Sequence, residues 1–186
     1  MKRFFDFLIA LIAFIILLLP MLVIAVIIKL SSKGPALFWS DRVGINNTIF
    51  KMPKFRTMHK NTPDIATHLL KDADSYLTPV GPFLRRYSID ELPQLWSILK
   101  GDMSFVGPRP ALHNQDDLIA IRTVKGIHCL MPGITGWAQI NGRDQISIPV
   151  KVQYDEYYLH HQSLFFDLKI LWMTFEKVMR SEHIQH

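Results

Sequence analysis

Cysteine is nearly missing from this chain: Cys129 stands alone among 186 residues. A lone cysteine excludes an intramolecular disulfide and a cysteine-based zinc site, and it fits a reducing compartment. The eight histidines never fall into His-Glu-x-x-His spacing, so that zinc motif is absent too. His160 and His161 are adjacent, would not share one helical face, and read as surface residues. Neither Gly-x-Gly-x-x-Gly nor a Walker loop occurs, so neither glycine-rich phosphate cradle applies. There is no internal repeat, no low-complexity tract and no nucleic-acid recognition motif. The basic residues are dispersed, so nucleic acid is not the expected partner.

What charge there is leans positive, with a formal net charge of +5. That balance suits an anionic membrane surface or a phosphorylated substrate. The length suits one compact domain plus an attachment.

The attachment is plain. Phe7 to Ile28 is an uninterrupted apolar run of 22 residues. As a helix it reaches about 33 Å, enough to cross a hydrocarbon core. Its length, and the absence of a small-residue cleavage site before Lys29, argue against a signal peptide. Lys2 and Arg3 flank one end and Lys29 and Lys33 the other, so the positive-inside rule sets no orientation. Pro20 interrupts one helical hydrogen bond. Two forms therefore stand: a spanning helix with a mild kink, or a segment that re-enters the face it left. Asp6 would be costly deep in lipid and belongs at the interface.

Beyond the run, Ala36–Arg42 and Thr48–Phe55 read as two strands joined by the turn Gly44-Ile45-Asn46-Asn47. Pro53 belongs at an edge or at the end of the second strand. Lys51, Lys54 and Arg56 are interleaved with Phe50 and Phe55; they are either a basic strand edge that discourages pairing or contacts to phosphate or lipid headgroups. Asn61–Tyr76 reads as an exposed helix, and Thr78-Pro79-Val80-Gly81-Pro82 as a break.

Two adjacent acids follow, Asp90 and Glu91, between Arg85-Arg86 and Pro93. A helix is expected to start between Ser88 and Leu92. Ser88 and Glu91 fit a Ser-x-x-Glu capping box, in which Glu91 merely satisfies the Ser88 N–H. That register leaves Pro93 past the first turn, as a kink. A start at Asp90 instead puts Pro93 where proline is tolerated. Under either, Asp90 lies near a helix N-terminus, a place that favours anions. In Gly107-Pro108-Arg109-Pro110, two prolines hold the backbone around one arginine extended, a rigid presentation of a forked cation that suits phosphate; a plain structural turn is the alternative.

Asn114–Lys125 and Pro149–His160 read as helices. Met131–Asp144 reads as a glycine-containing loop bearing Trp137, Gln139, Asn141 and Arg143, side chains able to stack or hydrogen-bond with a nucleotide or sugar. Leu164–Met179 is the last helix, with Leu164, Leu168, Leu171, Phe175 and Val178 at helical spacing. Its second stripe, Phe165, Trp172 and Met179, is wide for a soluble surface helix. It belongs in a core or at the membrane interface, and leaves room for a partner such as a second copy. The chain is thus expected to be mainly α with a small β-hairpin: a membrane-embedded N-terminal helix over 1–33, then one compact domain with interfacial helices over 34–186.

Several stretches recur in a fixed order in a known family: Lys54-Phe55-Arg56-Thr57-Met58, Leu84-Arg85, Ser88 to Leu95, Lys100-Gly101-Asp102-Met103-Ser104, Val106-Gly107-Pro108-Arg109-Pro110 and Pro132 to Gln139. Over nearly its whole length the chain resembles the monotopic phosphoglycosyl transferases, also called bacterial sugar transferases or polyprenyl-phosphate sugar-1-phosphate transferases. Its length is similar to that of their minimal catalytic core.

The resemblance implies transfer of sugar-1-phosphate from a UDP-sugar to undecaprenyl phosphate, with release of UMP, at the cytoplasmic face of the bacterial inner membrane. Asp90 matches the nucleophile that forms a covalent phosphosugar intermediate. Glu91 matches its partner, with Mg²⁺ held at the pair. Lys54, Arg85 and Arg109 match phosphate-holding positions, and Asp167 a late site acid. Neighbouring cations are expected to keep Asp90 ionised. The resemblance also favours the re-entrant form of the N-terminal segment, and membrane lipid as a partner. Two departures stand out. Leu19-Pro20 replaces the family's frequent Ser-Pro at the break, and Ser40-Asp41-Arg42-Val43-Gly44 lacks a common Gln. The competing readings are a membrane-tethered binding protein and a silent assembly factor; the intact acid pair and Arg109 motif argue against silence.

Overall fold

The apolar run forms one helix, α1 (Lys2–Ser31), with Pro20 inside it. At 1.5 Å per residue it is about 45 Å long. One stripe, Ala10, Met21 and Ile28, is buried against the rest of the chain, whereas Ile15, Ile16, Leu19, Val23 and Leu30 on other faces are exposed. Both ends are tied down. At the start, Lys2 meets the Asp167 carboxylate, and the Arg3 guanidinium donates to the Ile98 and Leu99 carbonyls. Asp6 is buried against protein and accepts from the Phe105 N–H at 3.4 Å. At the far end Arg56 donates to the Lys33 carbonyl at 2.7 Å and the Ser32 carbonyl at 3.0 Å. A cation there also suits the negative end of the helix dipole.

The structure is a computed structural model and describes residues 2–63, 73–142 and 146–179. It is mainly helical, with two small sheets. The hairpin pairs β1 (Leu37–Val43) antiparallel with β2 (Ile49–Phe55), Leu37 facing Phe55 and Val43 facing Ile49. Each strand lies one residue later at its start than the sequence pattern places it. Asn46 and Asn47 turn the chain at φ 52° and 59°, a left-handed region that Asn tolerates better than most residues. Pro53 sits inside β2 opposite Trp39; a two-stranded sheet has only edge strands, so the missing N–H breaks no inner ladder. Most of the helix expected over Asn61–Tyr76 lies outside the described residues; Ala73–Tyr76 is a 3₁₀ turn.

The second sheet was not foreseen. Short strands β3 (Ser104–Val106) and β4 (Gly133–Thr135) pair in parallel, Ser104 with Gly133 and Val106 with Thr135. The backbones come so close that a side chain at Gly133 would stand 2.2 Å from the Gly107 nitrogen. That contact explains why both motifs carry glycine at this crossing. The expected Met131–Asp144 loop is therefore corrected: it holds β4 and a short helix, α5 (Trp137–Asn141).

The remaining helices are α2 (Gly81–Arg86), α3 (Leu95–Lys100), α4 (Asp116–Val124), α6 (Ile148–His161) and α7 (Leu164–Met179). Val106, Leu118, Ile140, Val152, Tyr158 and Ile170 bring β3, α4, α5, α6 and α7 into one core. A second core joins Ala10 of α1 to Phe50, Met52, Leu95 and Ile98, and a third joins Met21 and Ile28 to Phe55 and Leu84. The hairpin and the acid-pair region are thereby packed directly on α1. On α7, Asp167 and Ile170 are buried, while Phe165, Leu168, Trp172, Phe175 and Met179 are exposed.

Candidate active site

Between α2 and α3 the acid pair sits in a 3₁₀ turn, Ile89–Gln94, and α3 begins at Leu95. The turn starts after Ser88 with Pro93 inside it, as one of the two registers has it, but no capping box forms. Ser88 makes no side-chain cap bond and adopts φ 54° and ψ 24°, left-handed for a residue with a Cβ. The Glu91 N–H donates to the Ser88 carbonyl at 3.2 Å, which is turn geometry rather than a capping box. Pro93 lies inside the 3₁₀ turn, where the N–H it lacks interrupts the i→i+3 ladder at the Asp90 carbonyl. A left-handed serine costs on the order of 1 kcal/mol and persists where neighbours over-determine it, often at functional sites. Here it swings the chain out of α2 so that Asp90 and Glu91 turn toward β2.

Strand β2 supplies the first cation. Lys54 Nζ donates to Glu91 Oε1 at 2.8 Å. Arg109 arrives from the β3–α4 connection and its Nη2 donates to the same oxygen at 3.2 Å. Arg85, on α2, donates through Nε to Thr57 Oγ1 at 3.0 Å, and its charge acts on Asp90. Three separated basic residues and two acids thus converge, although 55 positions divide Lys54 from Arg109.

The two acids differ in ionisation. For Glu91, burial pushes upward, but the Lys54 and Arg109 charges and hydrogen bonds outweigh it and hold the carboxyl well below the usual range. For Asp90, burial wins. It pushes the carboxyl up to about 6, helped by the Glu91 charge and opposed by Lys54, Arg85 and Arg109. The cations favour the charged form of Asp90, as expected, but burial outweighs them, and the Lys54 and Arg109 hydrogen bonds go to Glu91. At pH 7 a carboxyl of this kind is still ionised by about ten to one. It is a carboxylate with little solvation, the condition that leaves an oxygen reactive. Burial also lowers the Lys54 and Arg85 values, against the attraction of the acids.

The Arg109 loop is held residue by residue. The Gly107 N–H donates to Thr135 O at 2.9 Å, and Pro108 O accepts from the Gly133 N–H at 3.0 Å. Arg109 O accepts from Arg122 Nη1 at 2.9 Å and Pro110 O from Arg42 Nη1 at 3.3 Å. Ala111 O accepts from the Val43 N–H at 3.0 Å. Arg122 in turn donates through Nε and Nη2 to Asp155 Oδ2 at 3.0 and 2.6 Å. Burial raises the Asp155 carboxyl, with Arg122 opposing.

Other expected site residues lie elsewhere. Asp167 is buried, takes the Lys2 ammonium and accepts from Tyr158 Oη at 2.7 Å, so its contacts join α1 to α6 and α7. Burial and that hydrogen bond push the Tyr158 hydroxyl up. Trp137 stacks on Tyr157 at 5.8 Å and packs against Phe166 at 5.0 Å. Asn141 Nδ2 donates to Trp137 O at 2.8 Å, a local helix bond. Gln139 has both amide atoms buried without a hydrogen-bond partner. Arg143 lies outside the described residues. Sequence reasoning missed Thr57, Arg42, Arg122 and Asp155. The last two carried a signal: each is a charge at a core-facing position, Arg122 four residues after Leu118 and Asp155 three after Val152.

Convergence of a buried acid pair, a proline-flanked arginine and a β-hairpin lysine on an apolar helix is the pattern that the motifs resembled. The profile of the bacterial sugar transferase family matches residues 1–181. The chain belongs to the bacterial sugar transferase family. It is 42% identical over 185 residues to the uncharacterized sugar transferase EpsL of Bacillus subtilis, covering 100% of this chain and 90% of that protein. It is 38% identical over 183 residues to the UDP-N-acetylgalactosamine-undecaprenyl-phosphate N-acetylgalactosaminephosphotransferase of Aeromonas hydrophila, covering 96% of this chain and 43% of that one. It is also 38% identical over 181 residues to the UDP-glucose:undecaprenyl-phosphate glucose-1-phosphate transferase of Escherichia coli, covering 94% and 39%. This bacterial sugar transferase thus spans less than half the length of the last two relatives.

Proposed function

We propose that the protein transfers sugar-1-phosphate from a UDP-sugar to undecaprenyl phosphate and releases UMP, through a covalent intermediate on Asp90. The observation that carries this is the split of the acid pair: one oxygen of Glu91 takes both Lys54 and Arg109, while buried Asp90 remains poorly solvated beside the same cations. An Asp90 oxygen attacks the phosphorus that bears the sugar. The bond from that phosphorus to the UMP oxygen breaks, and UMP leaves as an anion. A phosphate oxygen of undecaprenyl phosphate then attacks the same phosphorus, and the acyl-phosphate bond to Asp90 breaks, restoring the carboxylate. Arg85 and Arg109 stabilise charge on the transferring group. Lys54 fixes Glu91 and screens the site.

The donor set suits magnesium. Mg²⁺ takes one or two carboxylates together with substrate phosphates and waters rather than an all-protein cage. Asp90 and Glu91 offer that pair, and no group of three or more ligating side chains stands together among the described residues. Bound there with the diphosphate, the ion would neutralise phosphate charge as the leaving group departs.

We further propose that α1 enters the cytoplasmic leaflet of a bacterial inner membrane without crossing it, and that the reaction is the first membrane step of a surface glycan or glycoprotein pathway. The contacts of Lys2 and Arg3 at one end and of Lys33 with Arg56 at the other support this. One domain grips both ends, so a crossing α1 would drag charged protein through the hydrocarbon. The exposed apolar stripe of α7 suits an interfacial helix. Purified protein with Mg²⁺, undecaprenyl phosphate and a panel of UDP-sugars should release UMP with at least one sugar; silence across the panel would overturn the reading.

A further inference from the structure

We infer that Arg122 and Asp155 form a buried device that positions Arg109, an inference that rests on the phosphate-binding role proposed for Arg109. Arg122 on α4 and Asp155 on α6 are an ion pair with side chains only 9% and 2% exposed. Such pairs add little net stability, because desolvation offsets the attraction. Fold stability alone is therefore a poor account of this one.

The geometry gives a better account. Arg122 places Nε and Nη2 on one Asp155 oxygen, which fixes the plane of the guanidinium. The remaining nitrogen, Nη1, then points at the Arg109 carbonyl, 2.9 Å away. A planar fork can serve an acid on one edge and a carbonyl on the other; an ammonium cannot hold both at those angles.

Arg109 needs such a support. Pro108 and Pro110 have no N–H, so the loop is gripped through consecutive carbonyls, by Gly133, Arg122 and Arg42 in turn. Holding the Arg109 main chain fixes the origin of the side chain that reaches Glu91 at 3.2 Å. Small misplacement of a substrate-binding group is costly, because reacting atoms must align closely. Arg122 and Asp155 are thus positioning residues, acting through Arg109 rather than on substrate.

A double-mutant cycle separates this role from a simple tie between α4 and α6. Full-length wild type, Arg122→Lys, Arg109→Ala and the double variant are assayed in membranes for UMP release and for UDP-sugar affinity, with thermal midpoints measured on each. Arg122→Lys should lower kcat/KM at least tenfold when Arg109 is present and less than twofold when Arg109 is alanine. Equal losses in both backgrounds would overturn the positioning role. Arg122→Met combined with Asp155→Leu leaves no unpaired buried charge, so the protein should fold. Its kcat/KM should fall as far as that of Arg122→Lys, and wild-type activity in that variant would also overturn the inference. A wild type that binds no UDP-sugar and releases no UMP removes the transferase reading itself, and the positioning role with it.

Discussion

Lys54 and Glu91 meet at 2.8 Å with side chains each only 16% exposed, so β2 and the acid-pair turn are joined by a largely desolvated ion pair. This contact sorts the two acids. It holds Glu91 ionised and leaves Asp90 governed by burial. Removing Lys54 should therefore act on Asp90 as well as on Glu91. In Lys54→Met the strongest influence lowering the Asp90 value is gone, so the acid limb of the pH–rate profile should move upward. An unmoved limb would show that Lys54 does not set the state of Asp90.

In the wild type the limb itself is a prediction. The proposed attack requires ionised Asp90, whose carboxyl is raised to about 6. The free-enzyme profile, kcat/KM against pH, should fall as pH drops through about 6, losing tenfold per unit below it. A profile flat down to pH 4.5 would show that the working enzyme holds Asp90 well below 6 or does not use it.

Asp90→Asn should abolish turnover while leaving the fold and membrane attachment intact. It should also stabilise the protein. A carboxyl raised in the fold costs stability once it ionises, and that cost is fully present above about 6 and absent below the unfolded value of 3.8. A shift of this size corresponds to roughly 2–3 kcal/mol at pH 8. Denaturation midpoints of the two proteins should separate at pH 8 and converge near pH 4. Full turnover by Asp90→Asn would sink the nucleophile assignment.

How far such a site can be read without coordinates depends on the range of the signal. The apolar run, the hairpin and α7 are carried by long local patterns, and each formed close to its expected bounds. The strands β3 and β4 have three residues each, too short to show a period, so Gly133–Thr135 read as loop. The site's basic and acidic residues were named through motif resemblance; no local pattern says that Lys54 and Arg109 share one oxygen of Glu91. That burial opposes those cations at Asp90 was not legible either, since burial is a property of the assembled fold. The Ser88 turn was missed because a left-handed serine has no composition cue.

Arg109→Ala removes one of the two cations on Glu91 and the proposed phosphate ligand. UDP-sugar use should fall at least tenfold in kcat/KM, equivalent to about 1.4 kcal/mol. A change under about threefold would demote Arg109 to a structural arginine of its loop.

The placement of α1 can be tested independently of chemistry. Lys2 and Arg3 bind the same domain as Lys33, so both ends of α1 should face the cytoplasm. With exposed Cys129 replaced by serine, a single cysteine added ahead of Met1 should resist a membrane-impermeant thiol reagent applied to intact cells and react once the membrane is opened. A cysteine at Lys33 should behave the same way. Labelling of the N-terminal cysteine from outside would place that end in the periplasm. The contacts of Lys2 with Asp167 and of Asp6 with Phe105 could then not form, because the domain bearing Asp167 and Phe105 would lie across the bilayer from them.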